Sequence, residues 1–405
     1  MKRILIIVAS IIVLIGIGVG IWFFFFANGA ATLEPSIANP FGTSGDATVT
    51  TPDSGTAING AGEVVAPHLI KITDKPVAEG SVAIYIPEVV GSTTASSTVP
   101  SKPADVEVRY IDRASGNIYA YRAHERVQTR LSNKTLPGIQ EASWASDGSR
   151  VFARFLERTT DGSERTDTYA LQSNGEGGFF LEQNLAQASV RGTSTVLTLL
   201  PSSAGSLASL SNLDGTNTRT LFSSALSALR LGFLGTSYLA TTKASSDMAG
   251  YSFSVDAAGS FTRVLGPLNG LSTLPSPSGA YVLYSYTDRG KLYTQVLDVL
   301  NHTATPIPLS TLADKCVWRR DSRAIYCGVP TALTGKLPDE WYQGARTFND
   351  RIWSIDLDTR VATLIVDPSE LAKESIDAVA LTIDSQSDVL IFTNKADSSL
   401  WMYDL

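Results

Sequence analysis

Three acidic residues, Glu141, Asp314 and Asp377, open segments that read as β-strands. Glycoside cleavage needs two carboxylates about 5–10 Å apart, so these three are the acid–base candidates if their strands converge. The plainer alternative is solvated acids at strand ends. A second cluster, Leu337-Pro-Asp339-Glu340-Trp341-Tyr342-Gln-Gly344 with Arg346, concentrates aromatics, acids and arginine. Those are the residues of binding hot spots in long loops, and the competing reading folds Trp341 back over the strands. Cys316 and Cys327 are the only cysteines. His68, His124 and His302 are too scattered to read as a metal site. Asn212-Leu-Asp214-Gly-Thr-Asn217 lacks the carboxylates and closing Glu of a calcium loop. No Gly-x-Ser-x-Gly elbow occurs. We therefore expect no metal and no cofactor, and a binding protein before an enzyme. A glycan-binding or glycan-cleaving protein is the alternative.

Whether any of these groups meet depends on the strands that carry them. Glu141 to Phe155 reads as a hairpin turning at Asp147-Gly148, with Trp144 opposite Val151 and Val151, Ala153 and Phe155 on one face. Asp-Gly suits a type I′ turn, in which both central residues take positive φ. Echoes of the hairpin turn at 192, 235, 278 and 321, spaced 45, 43, 43 and 43 residues from one to the next, and again at 386. The last step is 65 residues, one period plus an insertion that contains Trp341. Four short strands per 40–45 residues is the β-propeller period. Seven third strands, from Asn117–Tyr121 to Leu400–Tyr403, predict seven blades. Cys316 and Cys327 each lie five residues from the turn at Asp321-Ser322, which sets them opposite one another. Opposed cross-strand cysteines are within disulfide reach; a bonded pair and two buried thiols both fit.

Trp144-Ala-Ser-Asp147-Gly148 and Ser276-Pro-Ser-Gly279 resemble the repeat hairpin of TolB-like (WD40-like) propellers, which favour Trp-Ser-Pro-Asp-Gly. The likeness covers residues 69–405, although Arg319-Arg320 and Gln386 depart from it. It implies an all-β ring, and a role in protein recognition or envelope scaffolding.

The remaining chain divides simply. Residues 1–27 carry Lys2 and Arg3 before an apolar run, 4–27, of 24 residues. At about 1.5 Å per residue such a helix spans roughly 36 Å and crosses a bilayer. A cleaved signal peptide, cut near Gly29-Ala-Ala31, is the alternative. The leading cations keep the N-terminus cytoplasmic, so the rest is expected outside the cytoplasmic membrane, in a periplasm or at the cell surface. Residues 28–67, rich in Gly, Ser, Thr and Pro, read as a flexible tether, and 68–405 as the propeller. His68 to Thr73 resembles the fourth strands downstream, and the last repeat ends with three, so this N-terminal strand completes the final blade. On this topology the insertion faces away from the membrane. A net charge of −7 without a basic cluster argues against nucleic acid, leaving a protein partner and the membrane.

Overall fold

A computed structural model of the 405-residue chain describes residues 57–58, 64–65, 68–94, 97–99 and 101–405. The expected anchor and most of the expected tether lie outside the described residues. Among the described residues no helix is long and apolar enough to cross a membrane. Within the tether, Ala57–Ile58 pairs with Val64–Val65 as a short antiparallel ribbon.

Seven four-stranded antiparallel sheets follow one another along the chain as blades. Blade 1 runs Val82–Ile86, Asp105–Ile111, Ile118–Arg122, Val127–Arg130, from the innermost strand outward. The connection between its first two strands carries a ribbon of its own, Ser92–Thr94 against Ser97–Val99. Blade 2 (Ile139–Trp144 to Phe179–Phe180) has an outer strand of only two residues. Blade 7 takes Ala378–Ile383, Val389–Asn394 and Leu400–Asp404 from the end of the chain and Leu69–Thr73 from its beginning. Leu69 stands opposite Tyr403 and Ile70 opposite Met402, so the N-terminal strand closes the ring. Closure leaves the third strand without an open edge.

The blades hold together because neighbouring sheets bury apolar side chains between them. Between blades 7 and 1, Ile72, Val108, Ile391 and Met402 form one cluster. Between blades 3 and 4, Leu197, Leu199, Leu231 and Tyr238 form another. The sparsest cluster, Phe152, Ala170 and Val196, lies between blades 2 and 3, where the outer strand is shortest. The signature tryptophans tie each inner strand to the blade before it: Trp144 Nε1–H donates to Gly80 O at 3.3 Å, and Trp318 Nε1–H to Leu274 O at 3.1 Å.

Trp144 does face Val151, but the turn beyond them is not type I′. Gly148 N–H donates to Ala145 O, Ala145 N–H donates to Arg150 O, and of the Asp-Gly pair only Gly148 has positive φ, at 68°. The Asp147 carboxylate accepts the Ser149 N–H at 3.0 Å, so its side chain shapes the turn that a left-handed backbone was expected to make. The same two backbone bonds recur at Ser276–Tyr281, Arg319–Ala324 and Asp384–Val389, with the left-handed residue being Gly279, Ser322 or Ser387. Neighbouring turns are linked around the ring: Ser146 N–H donates to Gly192 O, Arg191 to Gly235 O and Ser278 N–H to Ser322 Oγ. These contacts repeat at one blade's spacing, which is the physical origin of the 43-residue period.

Cys316 and Cys327 are register partners joined by a disulfide, with Cα atoms 4.1 Å apart. A short helix, Pro368–Leu371, follows blade 6, capped by the Asp367 carboxylate on Ser369 N–H.

Deleting Leu69–Thr73 removes two buried side chains, Leu69 and Ile72, and bares the third strand of blade 7. We expect a loss of about 3 kcal/mol or more, read as a lower melting temperature together with self-association in sedimentation. A monomer that melts at the wild-type temperature contradicts ring closure through this strand.

Candidate functional site

The inner strands all begin on the face opposite the hairpin turns, so their first residues ring one mouth of the central channel. Around blades 6 and 7 that mouth is built on a fully buried ammonium. Lys315, Asp350 and Asp377 are each completely inaccessible. Lys315 Nζ pairs with Asp350 at 2.7 Å and with Asp377, and donates to Ala378 O at 3.1 Å, which uses all three of its protons. Asp350 also accepts the Ala378 N–H at 2.7 Å. Burial pushes the Asp350 carboxyl up to about 6, with Lys315 pulling the other way.

The insertion of blade 6, residues 331–349, joins the second strand Ala324–Pro330 to the third strand Asp350–Asp356 and folds down onto this mouth. Its short helix, Asp339–Tyr342, carries Trp341 into the channel, where the side chain is only 4% exposed. Trp341 Nε1–H donates to both oxygens of Asp377, at 3.0 and 3.2 Å, and the Phe348 N–H donates to the same carboxylate at 3.0 Å. The indole lies between two cations, Lys315 at 5.1 Å and Lys395 at 3.8 Å from the ring centroid. Leu292, Leu312, Leu337, Phe348 and Val379 complete an apolar seat. One residue on, Tyr342 O–H donates to Asp314 at 2.7 Å, and Arg230 pairs with the same carboxylate at 2.7 Å while stacking on the Tyr342 ring at 4.4 Å. Burial raises the Tyr342 pKa, and Asp314 raises it further, so the phenol stays a donor. The insertion is a plug.

The two groups of candidates read from the sequence therefore meet as each other's partners. Trp341 is not an exposed anchor, because its ring fills the channel mouth and its one donor is spent on Asp377. Tyr342 is committed to Asp314 and Arg230. The outer side of the plug is polar: Arg346 pairs with Glu340 at 3.0 Å, and Asp339 accepts the Ser246 N–H at 2.6 Å. Asp377 is sealed from solvent, Asp314 is paired with Arg230, and Glu141 is paired with Arg154. Each candidate acid thus has a cation or a set of donors against it.

The plug covers the mouth over blades 4 to 7 and leaves it open near blades 1 and 2. Two channel cavities, about 280 and 480 Å³, share Glu79, Val379 and Lys395 as walls. Glu79 lies between the inner strands of blades 1 and 2, bonded through its backbone to Gln140 and Ala142. The residue is solvent-accessible, yet the channel walls crowd its carboxyl and partly bury it. That burial raises its pKa, and Glu141 and Asp314 raise it further. Glu141 and Asp314 thus share one channel, although neither is free.

Sequence reasoning missed Lys315, Asp350, Arg230, Glu79 and Lys395. Arg230 was within reach, because it stands 43 residues after Gln187 and 43 before Thr273 on strands of known phase. Glu79 and Lys395 sit in connections, where no periodicity marks them.

Trp341→Ala should cost about 3–5 kcal/mol of stability in denaturant melts, as for a large buried aromatic. Trp341→Phe, which keeps most of the volume and removes only the donor to Asp377, should cost about 1–3 kcal/mol. Wild-type stability in the alanine variant contradicts a seated plug.

No family model matches the chain, and no curated protein matches it. Among solved structures it is similar to TolB from Acinetobacter baumannii, at 11% identity over 68% of this chain and 79% of that one, with a TM-score of 0.43. It is similar to an oligogalacturonate lyase from Vibrio parahaemolyticus at 10% identity over 74% of each chain, with a TM-score of 0.36. It is similar to a puromycin hydrolase at 13% identity over 75% of this chain and 50% of that one, with a TM-score of 0.47. The chain's own strand pairing carries the fold: seven four-stranded blades closed between the two ends, with signature hairpins turning on one face. In fold, the chain is a seven-bladed β-propeller.

Proposed function

We propose that the protein is a membrane-anchored, extracytoplasmic scaffold that holds a protein partner on the plugged face of its propeller. The observation that carries this reading is the plug itself. A long insertion locked onto the ring presents a fixed, mostly charged outer surface, and a rigid surface binds without the entropy cost of ordering a loop. Beside it, a groove of about 460 Å³ separates the plug from blades 4 and 5, lined by Asp247, Asn269, Thr287, Arg289, Lys291 and Lys336. Met248 stands exposed next to Asp247 at its edge. The outer strand Leu69–Thr73 starts at the face of the hairpin turns, where the Leu405 N–H bonds Asp388 O. An enzymatic role gains nothing from Glu141, Asp314 and Asp377, which are occupied as described.

A photo-crosslinking residue placed at Lys336 or Glu340 should yield a discrete protein adduct in intact cells, and one placed at Asp147 on the opposite face should not. Adducts of equal yield from both faces, or none from the plugged face, refute the reading. Alkaline washing should leave the full chain in the membrane pellet and release a variant lacking residues 4–27; release of the full chain refutes the anchor.

A further inference from the structure

The open half of the channel mouth contains opposite charges that have no ion-pair partner. In the cavity of about 280 Å³, Glu141 is matched by Arg154, while Arg113 gives one donor to the neutral amide of Gln140 and meets no carboxylate. Glu79 and Lys395 stand on the same walls without an ion pair. Among the described residues nothing donates to the Glu79 carboxylate. The Lys395 ammonium gives one proton to Trp341 O and rests on the indole face, which leaves two protons to donate. The two groups feel each other electrostatically, yet they form no ion pair with one another. Unmatched opposite charges facing a shared, enclosed space are a complement to a dipolar ligand.

We propose that this half of the channel mouth binds a small zwitterion, of amino-acid to dipeptide size, with its ammonium on Glu79 and its carboxylate on Lys395. The surrounding charge explains why both ends are needed. A bare cation drawn to Glu79 is opposed by Lys395, Arg113 and Arg154, and a bare anion drawn to Lys395 is opposed by Glu79 and Glu141. A molecule carrying both charges gains at each end, and the low-dielectric protein walls on either side of the recess strengthen both attractions. Burial lowers the Lys395 pKa and raises that of Glu79, as expected of two charges that the protein leaves without direct partners. The cavity limits the ligand to a few heavy atoms between its charges, and Thr393 and Gln140 on the walls offer hydrogen bonds to a peptide group. The site is independent of partner docking on the outer surface of the plug.

Saturation-transfer NMR on the full chain, titrated with glycine and with glycylglycine, tests the proposal. We expect saturable binding of at least one of them, with Kd on the order of 1 mM or tighter. Acetate and methylammonium, each carrying one of the two charges, should bind about tenfold more weakly or worse. Glu79→Gln, which keeps the side-chain shape, should weaken zwitterion binding about tenfold or more with an unchanged melting temperature. Lys395→Gln should do the same; if its contact with Trp341 makes that variant unfold, Glu79→Gln alone decides. Absence of saturable binding by both probes overturns the proposal. So does acetate or methylammonium binding as tightly as the zwitterion, or an unchanged affinity in Glu79→Gln.

Discussion

The structure of the channel mouth depends on the burial of one ammonium group. Lys315 has no access to water, and an unpaired charge there costs several kcal/mol. Its matching acids come from two different places, Asp350 at the start of a third strand of blade 6 and Asp377 just before the inner strand of blade 7. Both elements must be in position before the charge is satisfied, so the ion cluster adds to the apolar packing that holds the seam between the two blades. Two carboxylates against one ammonium leave an excess of negative charge. The plug answers it with the Trp341 Nε1–H and Phe348 N–H donors on Asp377, and Lys395 adds a second cation over the indole. The insertion is therefore part of the electrostatic balance of the ring, and its position follows from that balance. The Cys316–Cys327 disulfide pins the strand that begins immediately after Lys315.

Much of the ring was legible because the same local contacts are made once per blade. The alternation of apolar residues, the hairpin spacing and the missing fourth strand of the last repeat are one-dimensional features, and they return as seven sheets, the Trp144–Val151 pairing and the Leu69–Tyr403 closure. Turn type was less legible. Asp-Gly is compatible with a left-handed pair, but here the Asp147 side chain caps Ser149, and in two other hairpins a serine, Ser322 or Ser387, takes the left-handed position.

The site was legible only in pieces. Trp, Tyr and Arg in a long insertion have the same composition whether they await a partner or fill a channel, and what separates the two cases is the position of Asp377, Asp314 and Arg230. Those residues lie 36, 28 and 112 positions away from the plug aromatics they touch. No local pattern encodes such a meeting. Glu141 lies within the inner strand of blade 2, Asp314 in a 3-10 turn just before that of blade 6 and Asp377 just before that of blade 7, and the cations opposite them came from residues with no shared motif. The consequence for function is a mouth in two halves: one closed by a seated plug whose outer surface is fixed, the other a wet polar recess around Glu79.

The central claim is that the insertion is locked onto the channel rather than free above it. Hydrogen–deuterium exchange of the intact chain reads this directly, because amides that open only when the surrounding fold opens exchange orders of magnitude more slowly than those of mobile loops. The amides of Trp341, Tyr342 and Phe348, which bond Pro338 O, Pro338 O and Asp377 respectively, should be protected to the same degree as the strands Ala324–Pro330 and Asp350–Asp356. Exchange within seconds at those three positions, alongside protected strands, contradicts a locked insertion.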